Sequence, residues 1–475
     1  MTAHRLDRDG PPTLAAASRA IAAGELSPVA LTEWLLDRIE RLDGQLASFL
    51  LVTGEAAKAE ARKAEAEIRA GRRIGPLHGI PLGYKDIFAT AGVRTTAHSR
   101  LLEDHVPRTD ATSVAKTREA GAICLGKLAT HEFAFGGPSF DLPWPPARNP
   151  WNIEHFTGGS SSGTGAAVAA GLALGGFGSD TGGSIRLPAA FSGIVGLKPS
   201  YGRISRTGVL PLAYSLDHAG PMAWTSEDCA LMLDAMSGHD PADPASADVP
   251  APRAAEGLGR DLSGLRLGVI RHFWEEAEAD AETVTALEAA LKVYERLGAQ
   301  IVEIRLSPLQ DYVSTGMLIM LAEAFAVHED KLRTTPELFG EKMRMRMFLA
   351  GSISGADYVQ ALRRRRELTL ELAVAFAGVD LMFTAATPSA APRIDAIGTF
   401  STFERPNLTM PFNLTGNPAL ATRSGFSASG LPLSLQLVGK PFDEATVLAA
   451  GHAYETATDW AKLRPRMAGL ASVDA

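Results

Sequence analysis

The chain has 475 residues, of which 46% are apolar and 21% are charged, with 46 glycines and 29 prolines that follow no period. This composition is typical of a globular enzyme and excludes a disordered or fibrous chain. The formal net charge of −8 provides no basic surface that would attract nucleic acid or an anionic membrane.

The first 72 residues predict a helical layer at the N-terminus. Ser27 is expected to cap a helix that begins with Pro28, and a second helix, rich in alanine and charged residues, is predicted at about residues 55–70. The apolar positions of the first helix recur with helical spacing, at Leu31, Leu35, Ile39 and Leu42. No signal peptide is predicted, because MTAHRLDRDGPPTL has no apolar run.

Residues 75–235 are predicted to form the catalytic core. GIPLGYKDIF reads as a short buried strand that contains Lys85, and DATSVAKTREAG predicts a helix that leads into the strand AICLG. A segment dense in glycine and serine follows at residues 157–193, interrupted by the helix-forming sequence GAAVAAGLAL.

Residues 237–260 are rich in proline, alanine and aspartate and are predicted to be an exposed connection. Residues 261–475 then form a second α/β part, which opens with a strand, a helix and a strand at LRLGVI, residues 281–297 and AQIVEIRL. Strands that alternate with helices predict an α/β sheet covered on both faces, within a single domain over residues 1–475.

The glycine–serine segment has several interpretations. It lacks the Lys-Ser/Thr pair of a phosphate-binding loop and the third glycine of a dinucleotide fingerprint. Gly159, Ser161 and Gly163 fit the G-x-S-x-G elbow of an α/β-hydrolase esterase, with Asp217 and His218 as partners, although the preceding sequence predicts a loop and not a strand. A further alternative is that GGSSSG only builds turns and helix caps. The second cluster that follows it, DTGGSIRLPAAFSG, weighs against this alternative.

The second cluster carries a resemblance to a known family. GIPLGYKD at 79–86, GGSSSGTGAAVAAG at 158–171 and DTGGSIRLPAAFSGIVGLKP from residue 180, together with NLTGNPAL and GLPLSLQLVGKPFDE, resemble the amidase signature family over nearly the whole chain. The resemblance implies a three-layer α/β/α fold with a central mixed twisted sheet and helices on both faces. It also implies a Ser–cisSer–Lys hydrolase that acts through an acyl-enzyme without a cofactor.

Residue roles follow from the matching positions. The resemblance makes Ser184 the nucleophile, Ser160 the bridging serine after a cis peptide bond, and Lys85 the base. The oxyanion hole would be formed by backbone N–H groups of the DTGG turn, those of Thr181, Gly182, Gly183 and Ser184. Three further residues would hold the lysine and the loop: Ser161, Asp180 and Arg186.

The chemistry of such a triad can be argued from the residues themselves. A serine hydroxyl is a weak nucleophile until a base takes its proton, and a lysine is a base only when it is neutral. Burial lowers the pKa of a lysine because desolvation disfavours the ammonium. Lys85 in an apolar strand is therefore expected to be buried, with a hydroxyl passing the proton between it and the nucleophile.

HEFAF at residue 131 lacks a second metal ligand, so no metal site is predicted.

The substrate is expected to be a small molecule, an aryl or acyl amide, with a carbamate or an ester as further options. Substrate choice is assigned to a variable stretch, residues 308–350, and to the loop at residues 136–146. The tentative lining residues are Gly136, Gly137, Met317 and Phe348; core-facing helix positions are the alternative for the methionine-rich stretch, residues 317–348.

The alternative function is that of the A-type glutaminase component of a tRNA-dependent amidotransferase. The free-standing hydrolase is preferred to it because SLDH stands at 215–218 where that component usually has SLDQ, and because the chain ends soon after ETATDW. Neither a nucleic acid nor a membrane is expected as a partner, and a homodimer is left open. Only Cys124 and Cys229 are present, and with no stretch of ~20 apolar residues the expected location is the cytoplasm.

Overall fold

The computed structural model describes residue 6, residues 10–404 and residues 407–467, with the side chain of residue 402 left out. Most of the N-terminal sequence that predicts no signal peptide lies outside the described residues. The same holds for both ends of the predicted domain, residues 1–475.

One sheet of eleven strands runs through the molecule. In chain order the strands are β1 (Phe49–Val52), β2 (Pro81–Lys85), β3 (Ile123–Leu128), β4 (Gly175–Asp180), β5 (Val195–Lys198), β6 (His218–Ala223), β7 (Arg266–Val269), β8 (Gln300–Glu303), β9 (Leu381–Ala385), β10 (Ala419–Phe426) and β11 (Pro432–Val438). Their order across the sheet is β1-β3-β2-β4-β6-β5-β10-β11-β9-β7-β8.

The sheet is mixed. Strand β2 is parallel to β3 and β4, and β7 is parallel to β8 and β9. The neighbouring strands in the series β4-β6-β5-β10-β11-β9 are antiparallel to each other. Every residue of β2, β3 and β4 is buried, because helices cover both faces of the sheet. The predicted three-layer α/β/α fold with a mixed central sheet is confirmed.

Helices connect the strands. In chain order they are α1 (Leu14–Ala22), α2 (Pro28–Leu46), α3 (Gly54–Arg69), α4 (Thr112–Glu119), α5 (Ser162–Ala169), α6 (Arg186–Ser192), α7 (Ser226–Met236), α8 (Arg271–Glu276), α9 (Ala281–Arg296), α10 (Leu309–Thr334), α11 (Glu341–Ala350), α12 (Gly355–Ala375), α13 (Ser401–Glu404), α14 (Met410–Leu414) and α15 (Glu444–Thr456). Within the described part of the chain, no helix is long and apolar enough to cross a membrane.

Local sequence accounts for the N-terminal helices. The Ser27 hydroxyl accepts a hydrogen bond from the Ala30 N–H at 3.1 Å, and Pro28 occupies the first turn of α2, where its missing N–H costs nothing. The predicted cap is confirmed. The predicted stripe of this helix is buried in the hydrophobic core, which holds α2 in place.

The predicted exposed connection, residues 237–260, is exposed only in part. The Asp240 carboxylate is buried and accepts hydrogen bonds from the hydroxyls of Ser205, at 2.5 Å, and Thr112, at 2.7 Å. Asp243 is also buried and pairs with Arg206 at 3.2 Å. The sequence predicts that these aspartates face solvent. Instead, each one bonds to residues of the catalytic core and attaches this segment to it.

Candidate active site

Lys85 is the last residue of β2, the strand between β3 and β4, and is fully buried. Its Nζ lies within hydrogen-bond distance of three hydroxyl groups: 2.7 Å from Ser160, 3.0 Å from Ser161 and 2.7 Å from Ser179. Burial lowers the pKa of Lys85 to about 7, an effect that the charges of Asp180 and Asp217 oppose. A substantial fraction of Lys85 is therefore neutral at neutral pH, as a general base requires.

Ser160 lies in the loop before α5, and the Gly159–Ser160 peptide bond is cis. Its carbonyl accepts a hydrogen bond from the His131 N–H at 3.0 Å, which fixes the loop against the end of β3. A side chain at Gly159 would overlap the buried His131 ring, so only glycine fits here. The predicted bridging serine is thus in contact with the predicted base.

Ser184 lies in the DTGG turn that joins β4 to α6. It borders the same cavity as Ser160, and its carbonyl accepts a hydrogen bond from the Ser161 N–H at 3.3 Å. Thr181 and Gly182 border this cavity as well. The turn therefore brings a serine and neighbouring N–H groups to one place, as stabilisation of an oxyanion requires.

Gly183 is a correction to the predicted oxyanion hole. Its N–H donates to the Asp180 carboxylate at 2.7 Å, so this N–H points into the protein and is not available to a substrate. The residue has φ +135°, and a Cβ here would overlap the Thr409 hydroxyl, so the turn requires glycine for its shape. Thr181, Gly182 and Ser184 are left as donors.

Asp180 and Arg186 form a buried ion pair beneath the turn. The guanidinium donates two hydrogen bonds of 2.9 Å to the carboxylate, and both side chains are fully buried. Burial alone would raise the pKa of Asp180, but the charge and hydrogen bonds of Arg186 outweigh it and hold the pKa below its usual range. Arg186 also donates to the Thr409 carbonyl at 2.8 Å and to Gln436 at 2.7 Å, which ties the turn to the far half of the sheet.

Asp180→Ala is expected to lower the free energy of unfolding by about 3–5 kcal/mol, because it leaves the Arg186 charge buried without its partner. Thermal unfolding followed by circular dichroism measures the loss. The control is Glu329→Ala, which removes an ion pair with Arg333 whose side chains are 42% and 71% exposed, and should cost about 1 kcal/mol or less. Equal losses in the two variants would contradict a supporting role for the buried pair.

Ser161, the nucleophile of the esterase alternative, is fully buried. Its hydroxyl lies 3.0 Å from Lys85 Nζ and 3.3 Å from the backbone of Ser179, so it contacts the lysine inside the protein. His218, the histidine of that alternative, has Nδ1 2.6 Å from the Leu216 carbonyl. The segment before Ser161 is a loop and not a strand. The geometry gives the esterase alternative no support.

The cavity in front of Ser160 and Ser184 has a volume of about 260 Å³. Most of its wall is apolar and comes from distant segments: Phe135, Phe156, Phe191, Leu212, Met317, Met320, Leu408 and Met410. Gly136, Gly137 and Met317, three of the tentative lining residues, border it. Gly136 and Gly137 have φ +102° and +99°, which glycine adopts without strain.

Phe348 is a second correction. It is 54% exposed and does not border the cavity. In α11 the buried positions are Met343, Arg346, Met347 and Ala350, and the helical period places Phe348 on the opposite side. The methionines divide in the same way: Met317 and Met320 border the cavity, whereas Met345 is 44% exposed.

Sequence reasoning misses two residues of the site. Ser179 contacts Lys85, and the signal for it is a lone hydroxyl in the glycine-rich strand β4, which pairs with the strand of the lysine. Arg346 borders the cavity, where it is the one arginine or lysine among the described residues of the wall. It is buried, contacts the rings of Phe135 and Phe403, and donates to the Thr399 carbonyl. No group of three metal-binding side chains occurs among the residues described.

The sequence model of the family described as Amidase matches residues 30–448. The chain belongs to the Amidase family. Within it, the chain is 42% identical to the A-type subunit of a glutamyl-tRNA(Gln) amidotransferase from Geobacter metallireducens, over 92% of this chain and 95% of the relative. Membership of this family, with a relative this similar, places the chain among enzymes that act on C–N bonds.

Two solved structures extend the comparison. One is of a vestigial protein complex that reveals the origins of an s-triazine catabolic enzyme: 32% identity, a TM-score of 0.88, and coverage of 94% of this chain and 98% of that one. The other is a peptide amidase from Stenotrophomonas maltophilia, with 30% identity, a TM-score of 0.84, and coverage of 97% and 99%. The shared fold therefore includes nearly the whole chain.

Proposed function

We propose that the chain hydrolyses the C–N bond of an amide through an acyl-enzyme on Ser184, with Ser160 and Lys85 moving the proton. The observation that carries the proposal is the hydrogen bond of 2.7 Å between Lys85 Nζ and Ser160, beside a cavity that Ser184 shares. A buried lysine whose pKa is about 7 is a competent base, and a hydroxyl beside it can accept a proton from one side and donate one to the other.

The proposed reaction has two halves. Ser184 Oγ attacks the amide carbon and passes its proton through Ser160 to Lys85, and the N–H groups of Thr181, Gly182 and Ser184 stabilise the oxyanion. The C–N bond then breaks, the amine takes the proton back from the relay, and the acyl group stays on Ser184. Water attacks the acyl-enzyme by the same route and releases the acid.

The relatives bear on which amide is cleaved. Eight of them, 39–42% identical, share the name of the A-type component of glutamyl-tRNA(Gln) amidotransferase. They favour the alternative, a glutaminase component, over the free-standing hydrolase that the sequence alone prefers. We therefore take glutamine as the first candidate substrate, and tRNA and further amidotransferase components as candidate partners. This weighs against the expectation that no nucleic acid is involved.

The cavity offers one specific feature for glutamine. The buried guanidinium of Arg346 is suited to a substrate carboxylate, because a guanidinium binds carboxylates with two parallel hydrogen bonds. The described residues that border the cavity include no Asp or Glu to pair with the α-ammonium of glutamine. The lack of a carboxylate on the described part of the wall, together with its methionines and phenylalanines, supports a second candidate. This candidate is a free-standing hydrolase of apolar acyl or aryl amides.

Arg346→Met is expected to raise the KM for glutamine by about tenfold or more, since a charge-assisted contact to the carboxylate is lost. Ammonia release from glutamine measures it, by the chain alone and with its co-expressed amidotransferase partners. Arg344→Met is the control, because Arg344 belongs to the same helix and does not border the cavity. Hydrolysis of uncharged acyl anilides, with no glutaminase activity in either preparation, would favour the free-standing hydrolase.

A further inference from the structure

A second cavity of about 550 Å³ adjoins the active site. The two cavities meet at Ala134, Thr181 and Leu212, which border both. The second one continues away from Ser184 and is bordered by Tyr201, Arg206, Tyr214, Asp217, His218 and Asp243. It is therefore a second space, which adjoins the substrate cavity and has polar side chains on its wall.

Ser179 connects this second cavity to the base. Its hydroxyl lies 2.7 Å from Lys85 Nζ, and the residue borders the second cavity but not the substrate cavity. Lys85 and Ser161 are both fully buried, whereas Ser179 is 5% exposed. Lys85 is thus reached from two sides, by Ser160 from the substrate cavity and by Ser179 from the second cavity.

The walls of the second cavity can bind water. His218 Nδ1 lies 2.6 Å from the Leu216 carbonyl, so the proton sits on Nδ1 and Nε2 is an acceptor. This Nε2 is buried and has no hydrogen-bond partner among the described residues. The carboxylate of Asp217, which accepts from the Thr181 hydroxyl at 2.6 Å, borders the same space. A cavity of this size that is bordered by carboxylate, imidazole and hydroxyl groups is where ordered water is found.

We propose that water in the second cavity, together with the hydroxyl of Ser179, carries protons between Lys85 and the solvent while an acyl group occupies the substrate cavity. The inference rests on the proposed acyl-enzyme at Ser184. Its function would be to return Lys85 to the neutral form when the leaving group has not taken the proton.

The proton balance depends on the leaving group. When an amide acylates Ser184, the departing amine takes the Ser184 proton back from Lys85, and the base is neutral for the second half of the reaction. When an activated aryl ester acylates Ser184, the phenolate leaves as an anion and the proton stays on Lys85. Lys85 must then lose this proton to the solvent before it can accept one from the attacking water.

The test compares 4-nitrophenyl butyrate with the 4-nitroanilide of butyric acid, which form the same butyryl-enzyme. In Ser179→Ala, turnover of the ester is expected to fall about tenfold or more while its first-turnover burst of nitrophenolate persists. Turnover of the anilide should fall about tenfold less than that of the ester, since the anilide needs no proton release between the half-reactions. Ser179→Thr keeps the hydroxyl and should keep ester turnover.

Equal losses of turnover on the ester and the anilide would overturn the proposal, because they indicate a displaced lysine. Loss of the ester burst together with ester turnover would overturn it as well. So would full ester turnover in Ser179→Ala. Circular dichroism of both variants checks their folding. Failure of the proposed function looks different, because the unaltered chain would then show no butyryl group on Ser184 by mass spectrometry.

Discussion

Ser184→Ala is expected to lower kcat/KM by about a thousandfold or more on any amide that the chain cleaves, because no covalent intermediate can form. A fluorophosphonate probe should label Ser184 in the unaltered chain, and peptide mapping by mass spectrometry locates the label. Ser192→Ala is the matched control, since Ser192 ends α6, the helix that follows the turn of Ser184. Ser192 lies outside the cavity, and its hydroxyl donates to the Thr157 carbonyl.

The location of the label decides between two nucleophiles. Ser184 borders the cavity, whereas Ser161 is fully buried and its hydroxyl is held by Lys85 and Ser179. Label on Ser161, with activity retained in Ser184→Ala, would contradict the proposed mechanism. It would also require the probe to reach a hydroxyl that lies behind the wall of the cavity.

The burial of Lys85 and the glycine–serine turns are predictable because their determinants are local. An apolar strand that ends in lysine buries the lysine, and glycine–serine turns that follow a strand or precede a helix present their hydroxyls at the ends of those elements. The resemblance supplies which serine belongs next to which lysine. Backbone pairing across β2 and β4 then brings Ser179 to the same lysine, a contact between strands about a hundred positions apart that no local pattern contains.

The incorrect assignments have physical causes of the same kind. Four successive N–H groups look equivalent in the sequence of the DTGG turn, but the Asp180 carboxylate captures that of Gly183. Phe348 fits an apolar pocket by its composition, although the phase of α11 decides which of its side chains point inward. Both outcomes depend on partners from other elements.

The choice of substrate is the least predictable feature. The wall of the substrate cavity is assembled from α10, α11 and the segment around Leu408, which are far apart in the chain. Arg346 shares α11 with other basic side chains, and its burial beside Phe135 sets it apart from them. Composition can therefore suggest an apolar pocket but cannot place a cation in it.

Lys85→Ala should lower kcat/KM at neutral pH by about two orders of magnitude or more, because it removes the base that contacts Ser160. Ser160→Ala should cost a comparable amount, since it breaks the same relay. The double variant should be little worse than either single variant, because groups that act as one unit are not additive. Steady-state kinetics on one amide provide all the values, and additive losses would contradict a shared relay.

The pH profile tests the same residue independently. Because burial lowers the pKa of Lys85 to about 7 and only the neutral amine is a base, kcat/KM should rise with pH through about 7 and level off above it. Lys127→Ala is the matched control, because Lys127 is a buried lysine on the neighbouring strand β3 with a pKa lowered to about 8 by burial. Its partners are Thr90, Thr95, the Phe88 carbonyl and, at 3.8 Å, the Asp86 carboxylate, and they do not include Ser160. Lys127→Ala should keep the rise near pH 7, whereas Lys85→Ala should abolish it. A rise that persists without Lys85 would assign the proton to another group.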